Sequence, residues 1–441
     1  MLNFEPQKVI GELNPIGSKS LNAIDRKLEG FPPCLTKHIR QRILASGEGI
    51  YVSDLDGNWY TTWAAQSLNV GYSHPKVVAA IQKQVSKDAN PIVNIELAEM
   101  LKDIAPGSLS DGMVFYSKGG ADATEFTMKL ARYCSKKTIF IACQGSFHGG
   151  TLGSLSLTFA ESKLRGFSHP LLSDVVHVPF PYCYRCNFGQ DYPDCNFECI
   201  EYIRYVLDTV AYPAATAAFF IEPIQGHGGG VVAPEGYFKE LRKICDENEI
   251  FLVDDEVVCG FGRTGKMFGI EHFCVEPDLM IMAKPLASGM PIGAVIGKRE
   301  IMERWDEACP RSSGVGHSVC CAAALATIDV ILKEELLKNS WKVGDYMLKR
   351  FKEMYDEHEL IGDVRGKGLF LGVEFVKDRK KKIPATKETI EVINNSFKKG
   401  LILMRGGTYG QSLRIVPPLI ITEEQAEIGL NILDEVLKGI C

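Results

Sequence analysis

Six short apolar runs constrain this chain more than any other feature: residues 113–116, 138–143, 217–222, 250–255, 278–283 and 292–297. Each ends in turn formers or charges, and the apolarity within each is continuous rather than alternating. That pattern marks strands buried on both faces, as in a parallel sheet. Helical patterns at 121–135, 198–210 and 237–247 separate several of them. Strand and helix in alternation predict an α/β fold, a doubly wound and mostly parallel sheet over residues 75–320.

The flanks read differently. Residues 51–63 form two β-rich runs around Asp56-Gly57, a hairpin signal. Beyond the core, helices at 321–335 and 341–357, strands at 369–376 and 413–416, and a terminal helix at 423–438 make a smaller α+β unit. Residues 1–74 and 321–441 are therefore expected to build a small domain from both chain ends, with 75–320 as the large one.

Composition excludes several classes. With 46% hydrophobic and 24% charged residues the 441-residue chain is globular. A net charge of −6 gives no electrostatic footprint for nucleic acid. The basic run at 379–382 is short and soon meets Pro384, so it reads as a solvated loop. No apolar run approaches the roughly 18 residues a bilayer span needs. Residues 1–15 carry Glu5 and Pro6 and no signal-peptide core, and the 14 cysteines are scattered. A reducing cytoplasm is the expected home.

One motif misleads. Gly260-Phe-Gly-Arg-Thr-Gly265-Lys266 fits a P-loop, but Met267 replaces the hydroxyl that would hold Mg²⁺, and Asp255 and Glu256 just upstream would repel phosphates. Other positions are more informative. Asp255 ends an apolar run, so its carboxylate is expected at the C-terminal edge of the sheet, where such folds bind ligands; taken singly it reads equally as a cap. Lys284 follows another run, and Pro285 is expected to hold it extended. A half-buried lysine there suits Schiff-base chemistry, with a snorkelling side chain as the alternative. Gly119-Gly120-Ala121 opens a helix whose free N–H groups suit a phosphate. Phe147 and His148 offer an aromatic face at the same edge. Phosphate cradle, aromatic face, strand-end Asp and strand-end Lys together match the demands of pyridoxal 5′-phosphate.

The order of these motifs resembles the class III pyridoxal-phosphate aminotransferases of fold type I, and the likeness runs nearly end to end. It takes in Gly71-Tyr-Ser-His-Pro75, Gly120-Ala-Asp-Ala123, Phe147-His-Gly149, Glu222-Pro-Ile-Gln-Gly226, Asp255-Glu-Val257, Lys284, Val364-Arg-Gly366 and Leu413-Arg-Ile-Val-Pro-Pro-Leu419. The resemblance implies that Lys284 carries the cofactor and Asp255 bonds its pyridine nitrogen. Gly120 and Ala121 would hold the phosphate, with Phe147 and Val257 on the two ring faces and His148 nearby. Arg414 would bind a substrate carboxylate, with Glu222 and His227 close to it. It also implies a homodimer with the active site at the subunit interface, Ser313 supplying a hydroxyl to the partner's phosphate site.

Departures from the family pattern bear on the substrate. Val258 stands where Gln is usual, His227 where Glu is common, Pro285 where Gly is frequent, and His317-Ser318 replaces Asn-Pro. The stretch 83–97 is also shorter. Cys183, Cys186, Cys195 and Cys199 form a C-x2-C-x8-C-x3-C pattern, read as reduced thiols with a structural Zn²⁺ as the alternative.

The segment from Gly407 to Arg414 resembles the 4-aminobutyrate aminotransferase branch, whose members also include amino-acid racemases and epimerases. The expectation is amino transfer from an ω-amino acid to a 2-oxoacid. The alternatives are α-amino-acid racemisation, with His227 or His148 as second acid, and a non-catalytic protein keeping the fold.

Overall fold

A computed structural model describes residues 17–32, 44–87, 91–160, 162–307, 309–310 and 312–440. The expectation about residues 1–15 lies outside them. The centre is a seven-stranded sheet in the order Met113–Ser117, Gly293–Gly297, Leu279–Met282, Phe251–Asp255, Thr216–Ile221, Ile139–Cys143, Val175–Val178. Gly293–Gly297 runs antiparallel to both neighbours, and every other pairing is parallel.

The continuous apolarity of these strands has a direct cause. Successive side chains point to opposite faces, and each face has its own core. Ile141 and Cys143 enter one core, with Met280 and Met282. Phe140 and Ala142 enter the other, with Leu279 and Ile281. The helix Gly120–Ser135 covers the second face through Ala123, Met128 and Leu130. Glu198–Thr209 and Tyr237–Glu247 cover the first through Ile203, Val206, Leu241 and Ile244. All six residues of Thr216–Ile221 are buried between them.

Both chain ends lie outside this sheet. Tyr51–Asp54 and Trp59–Thr62 form the expected hairpin, and Trp59–Thr62 also pairs in parallel with Leu401–Ile402. A second, five-stranded sheet contains Ile361–Lys367, Phe370–Asp378, Ser412–Ile415, Met404–Gly406 and Ile383–Pro384. The helices Leu336–Glu357 and Glu423–Lys438 pack with it. No described helix is long and apolar enough to cross a membrane.

Candidate active site

The C-terminal ends of the parallel strands deliver the site. Apart from Arg414, which lies within Ser412–Ile415 of the second sheet, the predicted motifs follow strand ends, and the backbone locks them together. Gly149 has φ +142, and a Cβ on it would lie 2.8 Å from the Ala121 Cα; only glycine lets the Phe147–Gly149 loop close on the helix start. A Cβ on Gly120 would meet Val257 Cγ1 at 3.1 Å and the Ala283 Cβ at 3.6 Å, so helix start, Val257 and the Lys284 strand end are neighbours. His148 is held by its backbone, its N–H donating to Thr158 Oγ1 (2.9 Å) and its carbonyl accepting from Thr124 Oγ1 (2.9 Å).

Asp255 is buried; its Oδ2 accepts the His148 Nδ1 proton at 2.6 Å and its Oδ1 accepts the Val257 N–H at 3.0 Å. Glu222, also buried, accepts from the N–H groups of Phe147 (3.1 Å) and Gly226 (2.8 Å). A Cβ on Gly226 would sit 3.3 Å from Glu222 Oε2 and 3.4 Å from Arg414 Nη1, so carboxylate and guanidinium flank one glycine. The His227 ring stacks on Phe147 with centroids 4.9 Å apart and planes 18° from parallel.

Burial sets the charges. It lowers the Lys284 amine to about 8, with Arg414 adding repulsion against the pull of Asp255 and Glu222. None of the described residues hydrogen-bonds that amine. Burial, then Arg414 and Lys284, lower His227 to about 4, so its ring is neutral at neutral pH. Burial lowers Arg414 to about 10, leaving it charged. It raises the Glu222 carboxyl, and Asp255 raises it further. For His148 burial opposes the charge, but the Asp255 carboxylate outweighs it and the ring titrates above its ordinary range.

The structure brings together Gly120, Ala121, Phe147, His148, Glu222, His227, Asp255, Val257, Lys284 and Arg414. Ser313 stands apart, exposed in a turn ahead of the helix Ser318–Lys333. One expectation is corrected. Lys284 is not extended: it has φ +28 and starts a short 3-10 turn, Lys284–Ala287. Pro285 does keep its predecessor out of the right-handed helical region, but the chain must turn at once, and the left-handed side is what remains. The cost is on the order of 1 kcal/mol.

Sequence reasoning missed a second group. Glu374 is buried and receives Tyr182, Arg185, Arg365 (2.9 Å) and Gln411 (3.2 Å). Tyr182, Arg185, Gln225, Tyr409 and Gln411 share one cavity wall. No local spacing announces this, since the partners come from three distant segments. The P-loop look-alike resolves similarly: Arg263 is fully buried, donating to the carbonyls of Leu369 and Pro417 and to Asn69 Oδ1.

The family model described as "Aminotransferase class-III" matches residues 36–437. The chain belongs to the class III aminotransferase family. Among its relatives, the leucine/methionine racemase of Thermococcus litoralis is 38% identical over 426 residues, 95% of each chain. A probable 4-aminobutyrate aminotransferase of Bacillus subtilis is 34% identical over 412 residues, 90% of this chain and 93% of that one. A solved Bacillus anthracis aminotransferase superposes with a TM-score of 0.87 at 30% identity, covering 96% of this chain and 99% of that one.

Class III enzymes depend on pyridoxal phosphate, and the residues here fit it. The helix Gly120–Ser135 starts without a side-chain cap, and a Cβ on Gly119 would meet nothing within 4 Å, so room for a phosphate lies at its free N–H groups. The buried Arg414 Nε and His148 Nε2 have no hydrogen-bond partner among the described atoms. Val258, where the family has Gln, is buried in an apolar cluster with Ile224, Phe370 and Val416.

Proposed function

We propose that this class III enzyme racemises or 2-epimerises neutral α-amino acids, with Lys284 and His227 as its two proton-handling groups. The observation behind the reading is His227, stacked on Phe147 and within electrostatic reach of both Lys284 and Arg414. Relatives at 36–38% identity bear racemase or epimerase names, while aminotransferases follow at 34–36%. That order supports the alternative over the ω-amino-acid transfer expected from sequence.

Bound pyridoxal phosphate supplies the electron sink that lets a substrate α-carbon lose its proton. The chain's own residues do the rest. Lys284 holds the cofactor, and Asp255, anchored by its hydrogen bond with His148, favours the protonated pyridine. Gly120 and Ala121 offer N–H groups to the phosphate, and Phe147 and Val257 confine the ring. Arg414 orients the substrate carboxylate, bidentately as its fork allows. Glu222 keeps the Phe147 and Gly226 backbones in place around it.

Racemisation requires one base and one acid that exchange roles. Lys284 is free for this role once the substrate amine has taken its place; with the freed amine near 8 and the His227 ring near 4, the pair carries one proton, on lysine, at neutral pH. His227 then accepts the substrate proton and Lys284 donates, and the reverse reaction uses the opposite pairing. A carboxylate on Arg414 neutralises one of the charges depressing His227, so substrate raises the basicity of the ring.

The supporting experiment incubates holoenzyme with single L-amino acids, neutral and branched, without any 2-oxoacid. The expected result is the opposite configuration at the α-carbon by chiral chromatography, solvent deuterium at that carbon, and an undiminished yellow cofactor band. Loss of that band with release of an oxoacid, and no inversion, would overturn the reading.

A second reading, transfer from an ω-amino acid such as 4-aminobutyrate to a 2-oxoacid, rests on Arg414 and on the 34% relative. Bleaching of the yellow band by 4-aminobutyrate alone would favour it. In either case we take residues 75–320 as the cofactor-binding unit of a cytoplasmic homodimer. The twelve described cysteines, all unpaired, support the compartment, and the exposure of Ser313 supports its offer to a partner.

A further inference from the structure

Cys183, Cys186, Cys195 and Cys199 reach one cavity from two separate pieces of chain. Cys183 opens a 3-10 turn, Cys183–Arg185, and in that geometry residues three apart eclipse one another. Cys183 and Cys186 thus share a side. Cys199 is the second residue of the helix Glu198–Thr209, and the Glu198 N–H donates to the Cys195 carbonyl at 3.1 Å, which keeps the second pair within one turn of chain. Apart from the thiols the wall is largely aromatic and proline, including Phe180, Phe188, Tyr192, Phe197 and Pro234, and no lysine, arginine or histidine lines it.

We propose that these four cysteines bind a Zn²⁺ ion in a tetrahedral thiolate site. Four sulfur donors select a soft or borderline cation over Mg²⁺ or Ca²⁺, and the pairing of a two-residue spacer with a second close pair is the arrangement of structural zinc loops. Binding releases the thiol protons, so the four negative sulfurs and the dication leave a net charge of −2 in the loop. No three of the sulfurs lie within 4.8 Å of one another; the group that meets that spacing among the described residues, Glu357, His358 and Asp434, is already satisfied by ion pairs from His358 and Lys438. Binding therefore requires the thiols to close from this wider spacing around the ion.

The loop has a mechanical task. Tyr182, just before the first pair, and Arg185, inside it, both reach Glu374, and Arg185 Nη1 also donates to the Lys382 carbonyl at 2.5 Å. The ion fastens the segment that makes one wall of the Gln225–Tyr409–Gln411 cavity.

The test measures metal in the holoenzyme purified without chelator, by mass spectrometry of the ion and by release into a colorimetric chelator when a mercurial blocks the thiols. About one zinc per chain is expected, and Cys183→Ser/Cys186→Ser should lose it while keeping the yellow cofactor band. Should that variant fail to fold, reduced wild-type protein titrated with Co²⁺ reads the same site: intense red-region absorption marks tetrahedral thiolate ligation. Wild-type protein with no bound zinc and no Co²⁺–thiolate absorption overturns the proposal, as do disulfides mapped among these four cysteines in protein isolated under reducing conditions.

Discussion

His148 donates its Nδ1 proton to Asp255 Oδ2 at 2.6 Å, and both side chains are shielded from solvent. The two come from different strand ends, and their partnership fixes where the Asp255 carboxylate sits. Breaking one half of a buried pair costs about 3–5 kcal/mol, because the other half is left uncompensated.

Asp255→Asn in the apoprotein should therefore lower unfolding free energy by about that amount. The sign with pH follows from His148, whose folded value is raised above its unfolded one. The stabilisation is complete below about pH 6.5, the unfolded value, and is lost as pH rises through the folded value. Urea denaturation of both proteins across that range checks this; a difference that grows with pH would contradict it.

Lys284 must be a neutral amine to attack the cofactor aldehyde. With its amine lowered to about 8, uptake of pyridoxal phosphate by apoenzyme should accelerate with rising pH and level off near that value. Stopped-flow absorbance measures the profile. A midpoint at the ordinary lysine value would contradict the burial argument. Lys284→Ala should leave the fold intact and reduce turnover by about 10²–10⁴-fold or more.

His227→Ala separates the two proposed reactions. Under the racemase reading, configurational inversion falls by about 10²–10⁴-fold, while slow half-transamination through Lys284 persists. Chiral chromatography and the cofactor spectrum read these independently.

Arg414→Ala should raise KM for every carboxylate substrate by about 10–100-fold, the loss of a charge-assisted hydrogen-bonded pair, with a smaller effect on kcat. An unchanged KM would put the carboxylate elsewhere.

Gly149→Ala tests the cradle. Its Cβ would meet Ala121 Cα at 2.8 Å from a φ of +142, so the helix start must move away. Cofactor affinity should fall by equilibrium dialysis and thermal stability should fall with it, by about 1–3 kcal/mol.

Much of this fold was legible in the sequence because burial on both faces leaves a local mark. Helix Tyr237–Glu247 and helix Glu423–Lys438 fall where periodicity puts them. Val175–Val178 escaped notice because His177 interrupts a short edge strand that is only partly buried. The antiparallel course of Gly293–Gly297 has no local signature, since direction belongs to the pairing and not to the run. At the site, Asp255 and Lys284 announced themselves by ending strands. Glu374 and Gln411 did not, since a buried polar group assembled from distant segments looks, in each segment, like an ordinary polar residue. The backbone of Lys284 is not legible locally, because Pro285 excludes one conformation without selecting another.

The parallel pairing of Trp59–Thr62 with Leu401–Ile402 also constrains how the molecule comes into being. On the ribosome, the hairpin emerges about 340 residues before this neighbouring strand exists. Until residues 401–402 arrive that edge stays open, a template for stray strands. Closing that edge is thus a late step of folding, and loss of residues 401–402 would leave Trp59–Thr62 without this neighbour.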